Sequence, residues 1–574
     1  MPGLDRPRAV VVGAGPVGLT AAHELARRGV RVRLVDAAPG PAPTSRAVAV
    51  HPRTLETFAQ MGVVDGLLAR GRRNRAFTMY SGGRRLVRLE ADYATMPTSH
   101  PYTLIVPQTE TEAVLREALT RLGVGIEWGV RLTGFEQDQD GVSVHLTRAD
   151  GTSETARTSW LVGCDGGHST VRKLLGLELA GESSETWMLA DAPVASDLPP
   201  DTIYWAHTGG HALMMVPYAR DGHWRLLDTA PVPEGGTARL AEKLSQGLGR
   251  EVRVGEPEWT SVFTFQQRMV QRMHDGRVFV AGDAAHVHSP ASGQGMNTGV
   301  QEAYNLAWKL AQVDRGHAGR RLLDTYSEER VPIGRALLGS TRTATFLVQL
   351  KNLLASAALP AVFCVVRSVP ALRRAIQRKV LGGMSGLRIA YTGSPLTTAA
   401  QPRHPTGTGN AAASATVPAA GPAPGRRLTD ARVHDPSSPG CRALHEELRD
   451  PRWTLLHAEG AGIGDATAVR LAAAVRYGAW LSVRTVTGTR TDGPAPLADP
   501  DARLRSALGL ADGSWLLVRP DGYVAARGEH LTRAALDRAL APLGLGTVLA
   551  AQAVREPGAT PSPTPVPVPT EYRP

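Results

Sequence analysis

The chain has 574 residues, a length that favours more than one domain, because single hydrophobic cores stop growing at about 250–300 residues. Its formal net charge of +11 does not indicate nucleic-acid binding, since the arginines are scattered singly or in pairs and binding needs charge concentrated on one face. Three cysteines, Cys164, Cys364 and Cys441, are too few and too far apart for a disulfide framework or a thiolate metal site, which favours a reducing compartment.

The amino terminus and one apolar run bear on localisation. The first residues pass directly into a predicted strand, without the apolar region or cleavage site of a secretory signal, so we expect a cytoplasmic protein. The apolar run at 353–366 is shorter than the roughly 20 residues that span a bilayer, and Pro360 interrupts it, so no stable membrane insertion is expected. Buried helices or an oligomer interface, for example of a homodimer, explain this run, and membrane-surface contact is the alternative.

Residues 9 to 36 predict a strand, a tight turn, a helix and a second strand. The turn carries Gly13-x-Gly15-x-x-Gly18, and Asp36 ends the second strand. Glycines permit the turn, let the backbone approach a pyrophosphate and let helix and strand pack closely, while the helix N-terminus favours the anion. Asp36 would accept hydrogen bonds from ribose hydroxyls. We predict a dinucleotide site here, and no second fingerprint of this quality occurs in the sequence.

The next predicted elements are an amphipathic helix over 108–123, a run of strands, and a strand that ends at Asp165. A further helix begins near Ser169. An acid at the carboxyl end of a strand lies where α/β sheets bind ligands. Asp165 and Ser169 would also suit a helix cap. Both interpretations, a ligand site and a helix cap, therefore stay open.

The section from about 178 to 275 is rich in strand-like segments and aromatic residues, which suits a sheet that covers a substrate. For each candidate lining residue, the alternative to substrate contact is an ordinary position in the hydrophobic core. These candidates are Trp205, Met214, Met215, Pro217 and Trp224. His207 and His211 lie in the same region, where a surface position is the alternative to substrate contact.

A third glycine-rich stretch, "GDAAHVHSPASGQGMNTG", follows a strand that ends at Asp283 and precedes a long helix. The first turn of that helix exposes unpaired N–H groups and a partial positive charge, which would stabilise a flat, anionic ligand. His286-x-His288 could suggest a metal, but no HExxH motif, suitably spaced carboxylate or cysteine pair accompanies it. We expect hydrogen-bonding or packing histidines and no metal.

The pattern changes near residue 397. Residues 397–425 are rich in Pro, Gly, Ala and Thr without periodicity and predict a linker, and 426–555 predict a small separate α/β domain. The tail, 556–574, cannot bury enough apolar surface to order itself and is expected to be disordered.

The motifs "GAGPVG", "GCDGGHSTVR" and "GDAAHVHSPASGQGMNTG", in this order, resemble the class A flavoprotein aromatic hydroxylases related to para-hydroxybenzoate hydroxylase, over about residues 8 to 390. The resemblance implies an α/β fold. A Rossmann-like FAD-binding domain would comprise 1–177 and 276–396, with strands near 75–106 contributing to the substrate pocket, and 178–275 would form an inserted substrate-binding sheet. The last domain resembles the thioredoxin-like appendage of the phenol and aromatic-polyketide hydroxylase branch. Because it lacks CxxC, we expect it to be redox-inert.

The resemblance also implies roles for single residues. Asp36 would bind the adenosine ribose, Asp165 would serve both FAD and NAD(P)H, and Asp283 would hold the ribitol. Arg46, near the cofactor phosphates, and Pro290 are candidates for positioning, and no catalytic side chain is assigned because the chemistry lies mainly on the flavin. The remaining residues implied in cofactor binding are Gly13, Gly15, Pro16, Val17, Gly18, Ala37, Gln108 at the flavin linker, Val130 at the adenine, and Gly293, Gly295, Met296 and Asn297 around the isoalloxazine ring.

The implied activity is hydroxylation of a phenolic, polycyclic polyketide-type small molecule, with FAD, O2 and transient NADPH or NADH, through a flavin C4a-hydroperoxide. A dry pocket is needed because water promotes loss of peroxide. Baeyer–Villiger or epoxidising chemistry on a related substrate is one alternative. A flavin-binding assembly protein without turnover is another.

Overall fold

The computed structural model describes residues 6–90, 98–208, 211–230, 236–287, 293–349, 368–398, 421–429, 444–460, 464–488 and 496–544. Within these residues the chain forms a mixed α/β structure with several separate sheets, which confirms the predicted fold class. Among the described helices, none combines the length and apolar character needed to cross a membrane.

The strands are numbered in chain order. They are β1 (Ala9–Val12), β2 (Val32–Asp36), β3 (Ala49–Val50), β4 (Arg72–Asn74), β5 (Ala76–Ser81), β6 (Arg84–Glu90), β7 (Thr103–Ile105), β8 (Ile126–Trp128), β9 (Val130–Gln137), β10 (Val142–Arg148), β11 (Ser153–Thr158), β12 (Trp160–Gly163), β13 (Ala180–Ala195), β14 (Thr202–Thr208), β15 (His211–Pro217), β16 (His223–Asp228), β17 (Arg253–Val254), β18 (Trp259–Met269), β19 (His274–Asp275), β20 (Val278–Val280), β21 (His286–Val287), β22 (Trp453–Ala458), β23 (Leu481–Thr487), β24 (Pro496–Ala498), β25 (Trp515–Val518) and β26 (Val524–Gly528).

The helices are numbered in the same way. They are α1 (Pro16–Ala26), α2 (Pro52–Met61), α3 (Val64–Arg70), α4 (Gln108–Arg121), α5 (Thr170–Leu174), α6 (Gly236–Leu248), α7 (Gly295–Asp314), α8 (Asp324–Gln349), α9 (Pro370–Met384), α10 (Leu444–Glu447), α11 (Gly464–Tyr477), α12 (Arg503–Leu508) and α13 (Arg533–Leu540).

The first sheet has the order β19-β20-β12-β1-β2-β8, and its central strands run parallel. The sequence "AVVV" of β1 is apolar throughout because the strand is buried on both faces, as parallel strands covered by helices are. The glycine turn and Asp165 both follow the carboxyl ends of neighbouring strands in this sheet, since β1 pairs in register with β12. Two parts of the sequence that are far apart therefore meet at one edge.

A nine-stranded sheet brings β5 and β6 together with β13 to β18 and β21. Alternate residues point to opposite faces. The outer face, with Tyr204, Met215 and Trp224, packs against α6, an element that the sequence analysis did not predict. The inner face, with Trp187, Trp205 and Met214, packs against Ala49 and Ile105 of the small β3-β7-β4 sheet.

The carboxyl-terminal domain contains a five-stranded sheet of order β24-β23-β22-β25-β26, flanked by helices that include α11 and α13. The predicted linker is described only at its two ends, and both pack against this domain: the Thr398 N–H donates to the Ala525 carbonyl (2.9 Å), and the Gly425 N–H donates to the Val524 carbonyl (2.7 Å). The bounds of the linker therefore stay a prediction. The predicted disordered tail lies outside the described residues.

Candidate active site

The turn between β1 and α1 is held tightly. The Gly13 N–H donates to the Val35 carbonyl (2.8 Å), and Gly13 has a φ of +102°, which side chains rarely adopt. A Cβ added to Gly18 would lie 1.8 Å from the Gly13 carbonyl oxygen, whereas one added to Gly15 would meet nothing within 4 Å. Two of the glycines are therefore required by the protein's own packing, and Gly15 borders open space that a phosphate group could occupy.

Asp36 lies at this turn. The Ala14 N–H donates to Oδ2 of Asp36 (2.6 Å) and the Ala38 N–H donates to Oδ1 (2.8 Å), so the turn fixes the carboxylate in position. The Gly129 N–H donates to the Ala38 carbonyl (2.8 Å), which brings Val130 to the same place. Val130, which is distant in sequence from Asp36 and Ala37, therefore lies beside them where an adenosine would extend from the turn.

Asp165 caps α5. Its carboxylate accepts hydrogen bonds from the Thr170 N–H (2.7 Å), the Val171 N–H (3.1 Å) and the Ser169 hydroxyl, and Ser169 Oγ in turn accepts from the Arg172 N–H (2.9 Å). Of the two interpretations left open by the sequence, the capping role is the one that these contacts support. The segment nevertheless borders the first turn, because a Cβ on Gly13 would lie 2.3 Å from the Cys164 carbonyl oxygen.

The third glycine-rich stretch also meets the first. Gly282 has a φ of +63°, and a Cβ added there would lie 2.8 Å from the Val17 side chain. A Cβ on Gly299, in α7, would lie 2.6 Å from the same side chain. The Val17 side chain thus packs against α7 and is partly buried there. The three motifs therefore meet around the turn, and we refer to the region that they border as the cleft.

Asp283 follows Gly282 at the edge of this cleft and is exposed to solvent. Desolvation by the surrounding protein raises the pKa of its carboxyl, while the positive charges of His286 and Arg46 oppose that rise. Arg46 and Asp283, one predicted for the phosphates and the other for the ribitol, are therefore close enough to interact.

The segment that carries Arg46 is held by Arg225, which the sequence analysis did not identify, and by Gln108, which it did. Arg225 of β16 donates to the carbonyls of Ser45 (2.6 Å) and Arg46 (2.7 Å) while its guanidinium pairs with Asp191 (2.6 Å). Gln108 completes the support, because its Oε1 accepts from the Ala47 N–H (3.1 Å). An arginine between the apolar residues Trp224 and Leu226 of β16 was the signal for this contact in the sequence.

The N-terminal end of α7 is fixed by Asn297. Its Nδ2 donates to the carbonyls of Ala49 (2.8 Å) and Gly293 (2.7 Å), and its Oδ1 accepts from the His51 N–H (2.8 Å). The Asn297 amide is therefore committed to the protein, and only its backbone is available to a flavin ring. Gly293, Gly295 and Met296 lie at the same helix end and are half-buried, whereas Pro290 lies outside the described residues.

A buried ion pair lies beneath this end of the cleft. His286 Nε2 is 2.8 Å from Glu302 Oε1, and the Gly282 N–H donates to Glu302 Oε2 (2.9 Å). Burial acts to lower the pKa of His286, but the Glu302 carboxylate outweighs it and raises that pKa. His286 is thus a hydrogen-bonding histidine, and among the described residues no cluster of His, Cys, Asp or Glu suits a metal ion. The sequence analysis did not identify Glu302, although an acid in the middle of a helix rich in apolar residues indicates a buried partner.

The two faces of the nine-stranded sheet divide the predicted substrate residues. Trp205 and Met214 lie on the inner face, in one hydrophobic cluster with Ala49. A Cβ added to Gly293 would lie 3.1 Å from the Ala49 Cβ, so this cluster adjoins the N-terminal end of α7. Met215 and Trp224 belong to the outer face and are covered by α6. Pro217 follows the same alternation as Met215, so three of the five candidates point away from the cleft.

A family model described as an FAD binding domain matches residues 7–341, and one described as the C-terminal part of aromatic-ring hydroxylases matches 421–543. The chain belongs to the FAD-dependent aromatic-ring hydroxylases. It is 50% identical over 536 residues, which are 92% of each chain, to a 6-methylpretetramide 4-monooxygenase of Streptomyces rimosus.

Two solved structures are also similar to this hydroxylase. An anhydrotetracycline hydroxylase from Streptomyces rimosus superposes with a TM-score of 0.70 and 30% identity, covering 94% of this chain and 99% of that one. An aklavinone-11 hydroxylase, in a complex with FAD and aklavinone, superposes with a TM-score of 0.72 and 26% identity, covering 96% and 100%. The hydroxylase is therefore an FAD-dependent monooxygenase, as the motifs predicted.

Proposed function

We propose that the enzyme uses NADPH or NADH and O2 to hydroxylate a polycyclic phenolic molecule of the polyketide type. The observation that carries this proposal is that all three motifs meet at the cleft. It extends from Gly15 and Asp36, past Asp283, to Gly293, which adjoins the apolar inner face of the nine-stranded sheet. An FAD molecule placed along it would have its ring beside an apolar surface suited to a flat substrate.

The residues of the cleft fit FAD. The Gly15 backbone and the N-terminus of α1 would bind the pyrophosphate, Asp36 the ribose hydroxyls and Asp283 the ribitol hydroxyls. The N-terminal end of α7 would stabilise negative charge on the ring. When bound, FAD supplies the transfer of hydride and the activation of oxygen, and the protein supplies positioning and the exclusion of water.

Arg46 is proposed as the positioning residue at the phosphate end. Its segment is tied through Arg225 to the substrate-covering sheet, so substrate and cofactor would be aligned by one set of contacts. For the substrate we retain Trp205 and Met214, because they share the inner face, and do not retain Met215, Pro217 and Trp224. Pro290 stays a proposal from the family resemblance.

The printed names of the similar proteins support the choice of substrate class. The 6-methylpretetramide monooxygenase and the anhydrotetracycline hydroxylase are named for molecules of the tetracycline type, and the aklavinone-11 hydroxylase was solved with its polycyclic ligand. Extension to this enzyme is our inference. The limits proposed above for the cofactor domain and the thioredoxin-like character of the last domain remain proposals of the same kind.

Substrate-stimulated oxidation of the reductant tests the proposal. The purified protein, loaded with FAD, is mixed with NADPH or NADH in air, with and without 6-methylpretetramide or anhydrotetracycline. We expect the rate of reductant oxidation to rise with one of these polycyclic phenols and hydrogen peroxide to account for only part of it. An FAD-loaded enzyme whose rate does not respond to either compound would contradict the proposed substrate class.

A further inference from the structure

His207 occupies an unusual position in the nine-stranded sheet. Its side chain is buried, with 8% of its surface exposed, near the end of β14. Its Nε2 atom is also buried and has no hydrogen-bond partner among the residues that the structure describes. Burying a polar atom without a partner costs free energy, which calls for an explanation in terms of a ligand or a water molecule.

The direction of the His207 side chain follows from its neighbours. Ala206 and Thr208 point to the outer face, because a Cβ on Gly247 of α6 would lie 2.7 Å from the Ala206 Cβ and 3.1 Å from the Thr208 methyl. Since alternate strand residues point to opposite faces, His207 projects from the inner face, as Trp205 does. The side chain with the unpartnered nitrogen therefore lies on the face of the sheet proposed for the substrate.

The surroundings set the protonation of this histidine. Burial lowers the pKa of His207, so the imidazole is neutral near pH 7 and presents one accepting and one donating nitrogen. A neutral imidazole on an apolar wall suits a flat aromatic ring that carries a polar substituent. Because it carries no positive charge, it suits a neutral polar substituent better than an anionic one.

We propose that His207 is a substrate-positioning residue whose Nε2 accepts a hydrogen bond from a phenolic hydroxyl of the substrate. This inference rests on the proposed function and adds to it a specific residue and the functional group that it recognises. Together with the apolar contact of Trp205, one directional hydrogen bond would fix which edge of a polycyclic ring approaches the cofactor.

The test measures substrate binding by the FAD-loaded enzyme without turnover. The probes are 1-naphthol, which carries a hydroxyl donor, and 1-methoxynaphthalene, which has the same ring without the donor. Binding is followed through the change in the flavin absorption spectrum. The variants are His207→Ala, His207→Gln, which restores an acceptor, and His211→Ala as a control, since His211 is exposed on the neighbouring strand.

We expect His207→Ala to weaken 1-naphthol binding about fivefold to tenfold, the value of one buried hydrogen bond, and to leave 1-methoxynaphthalene binding nearly unchanged. His207→Gln should recover part of the loss, and His211→Ala should change neither probe. Equal weakening of both probes would assign His207 a packing role and overturn the proposal. An unchanged affinity for 1-naphthol, or a wild-type enzyme that binds neither probe, would overturn it as well.

The same variants separate this inference from the proposed function. If the wild-type enzyme distinguishes the two probes through His207 but no polycyclic phenol stimulates oxidation of the reductant, the proposed function fails while the recognition of a hydroxyl stands. Thermal unfolding of each FAD-loaded variant shows whether it is folded. If His207→Ala does not fold, His207→Gln provides a second variant.

Discussion

At the scale of single residues, the glycines of the first turn illustrate how packing and ligand binding make different demands. Gly13 and Gly18 are fixed by the protein itself, because their missing side chains allow the turn, the helix and the Cys164 carbonyl to approach closely. Gly15 faces open space. The motif that looks uniform in sequence therefore contains two structural positions and one binding position.

Substitution at these positions separates folding from cofactor binding. Gly15→Ala should fold with little change in stability but lose FAD affinity by more than about tenfold, because its methyl group occupies the path of the pyrophosphate. Gly18→Ala should be destabilised by several kcal/mol, roughly as an overpacked core is. The measurements are the dissociation constant for FAD and the free energy of unfolding of the apoprotein.

Gly40→Ala is the matched control, since a Cβ there also meets nothing within 4 Å and no cofactor contact is proposed for it. A Gly15→Ala enzyme that binds FAD as tightly as the wild type would show that the pyrophosphate lies elsewhere.

At the scale of elements, β15 connects the cleft with a separate core through adjacent residues. Met214 belongs to the inner-face cluster and Met215 to the cluster beneath α6, although both are buried and chemically identical. Strand alternation alone decides which of them faces the proposed substrate. This pair therefore tests the assignment of the two faces.

Met214→Ala should raise the KM for the polycyclic substrate and increase the fraction of reductant lost to hydrogen peroxide, because the wall beside the substrate is opened. Met215→Ala should leave KM near the wild-type value and lower the free energy of unfolding by about 2–5 kcal/mol, as is usual for a buried methionine. Steady-state kinetics and denaturant unfolding measure the two effects. A KM changed only by Met215→Ala would contradict this assignment and place the substrate on the outer face.

The elements also show how far the sequence led. The helix predicted over 108–123 is confirmed as α4, and the first strand–turn–helix unit is confirmed, because both depend on local periodicity and turn chemistry. The contacts of Arg225 with Ser45 and Arg46, and of Glu302 with His286, join residues of different elements, so the sequence marks Arg225 and Glu302 as unusual without revealing their partners. Asp165 shows the limit most clearly, since the same residues predict a helix cap and a ligand site.

At the scale of the whole molecule, the carboxyl-terminal domain supports the cofactor domain through a buried polar cluster. Arg519 donates to both carboxylate oxygens of Glu329 (2.6 and 2.9 Å), and Lys309 of α7 donates to one of them (2.7 Å). Asp521 accepts from Arg519 and from the Trp308 indole (3.2 Å). Because α7 begins at the cleft, the domain holds in place the helix that would face the flavin.

This cluster predicts a dependence on both sequence and pH. Glu329→Gln should lower the free energy of unfolding by about 3–5 kcal/mol at pH 7, since it leaves buried cations without their partner. Burial acts to raise the pKa of Glu329, but Arg519 and Lys309 outweigh it and hold the pKa below its ordinary value. The stabilisation is therefore fully present above the ordinary glutamate pKa and is lost as pH falls through the lower, folded-state value.

Urea unfolding at pH 7 and at about pH 3.5 measures this effect, and the difference between wild type and Glu329→Gln should shrink at the lower pH. Glu328→Gln is the control, because Glu328 is the exposed neighbour on the same helix. A difference that grows on acidification would contradict the assigned sign.

The most direct test of the central claim, that a cleft for FAD opens onto a face that holds an aromatic substrate, is the fate of molecular oxygen. The FAD-loaded enzyme is supplied with reductant, 6-methylpretetramide and ¹⁸O2, and the product is analysed by mass spectrometry and NMR. We predict one ¹⁸O atom bonded to a ring carbon as a new hydroxyl. Label found only in hydrogen peroxide and water, with the polycyclic compound unchanged, would contradict the account.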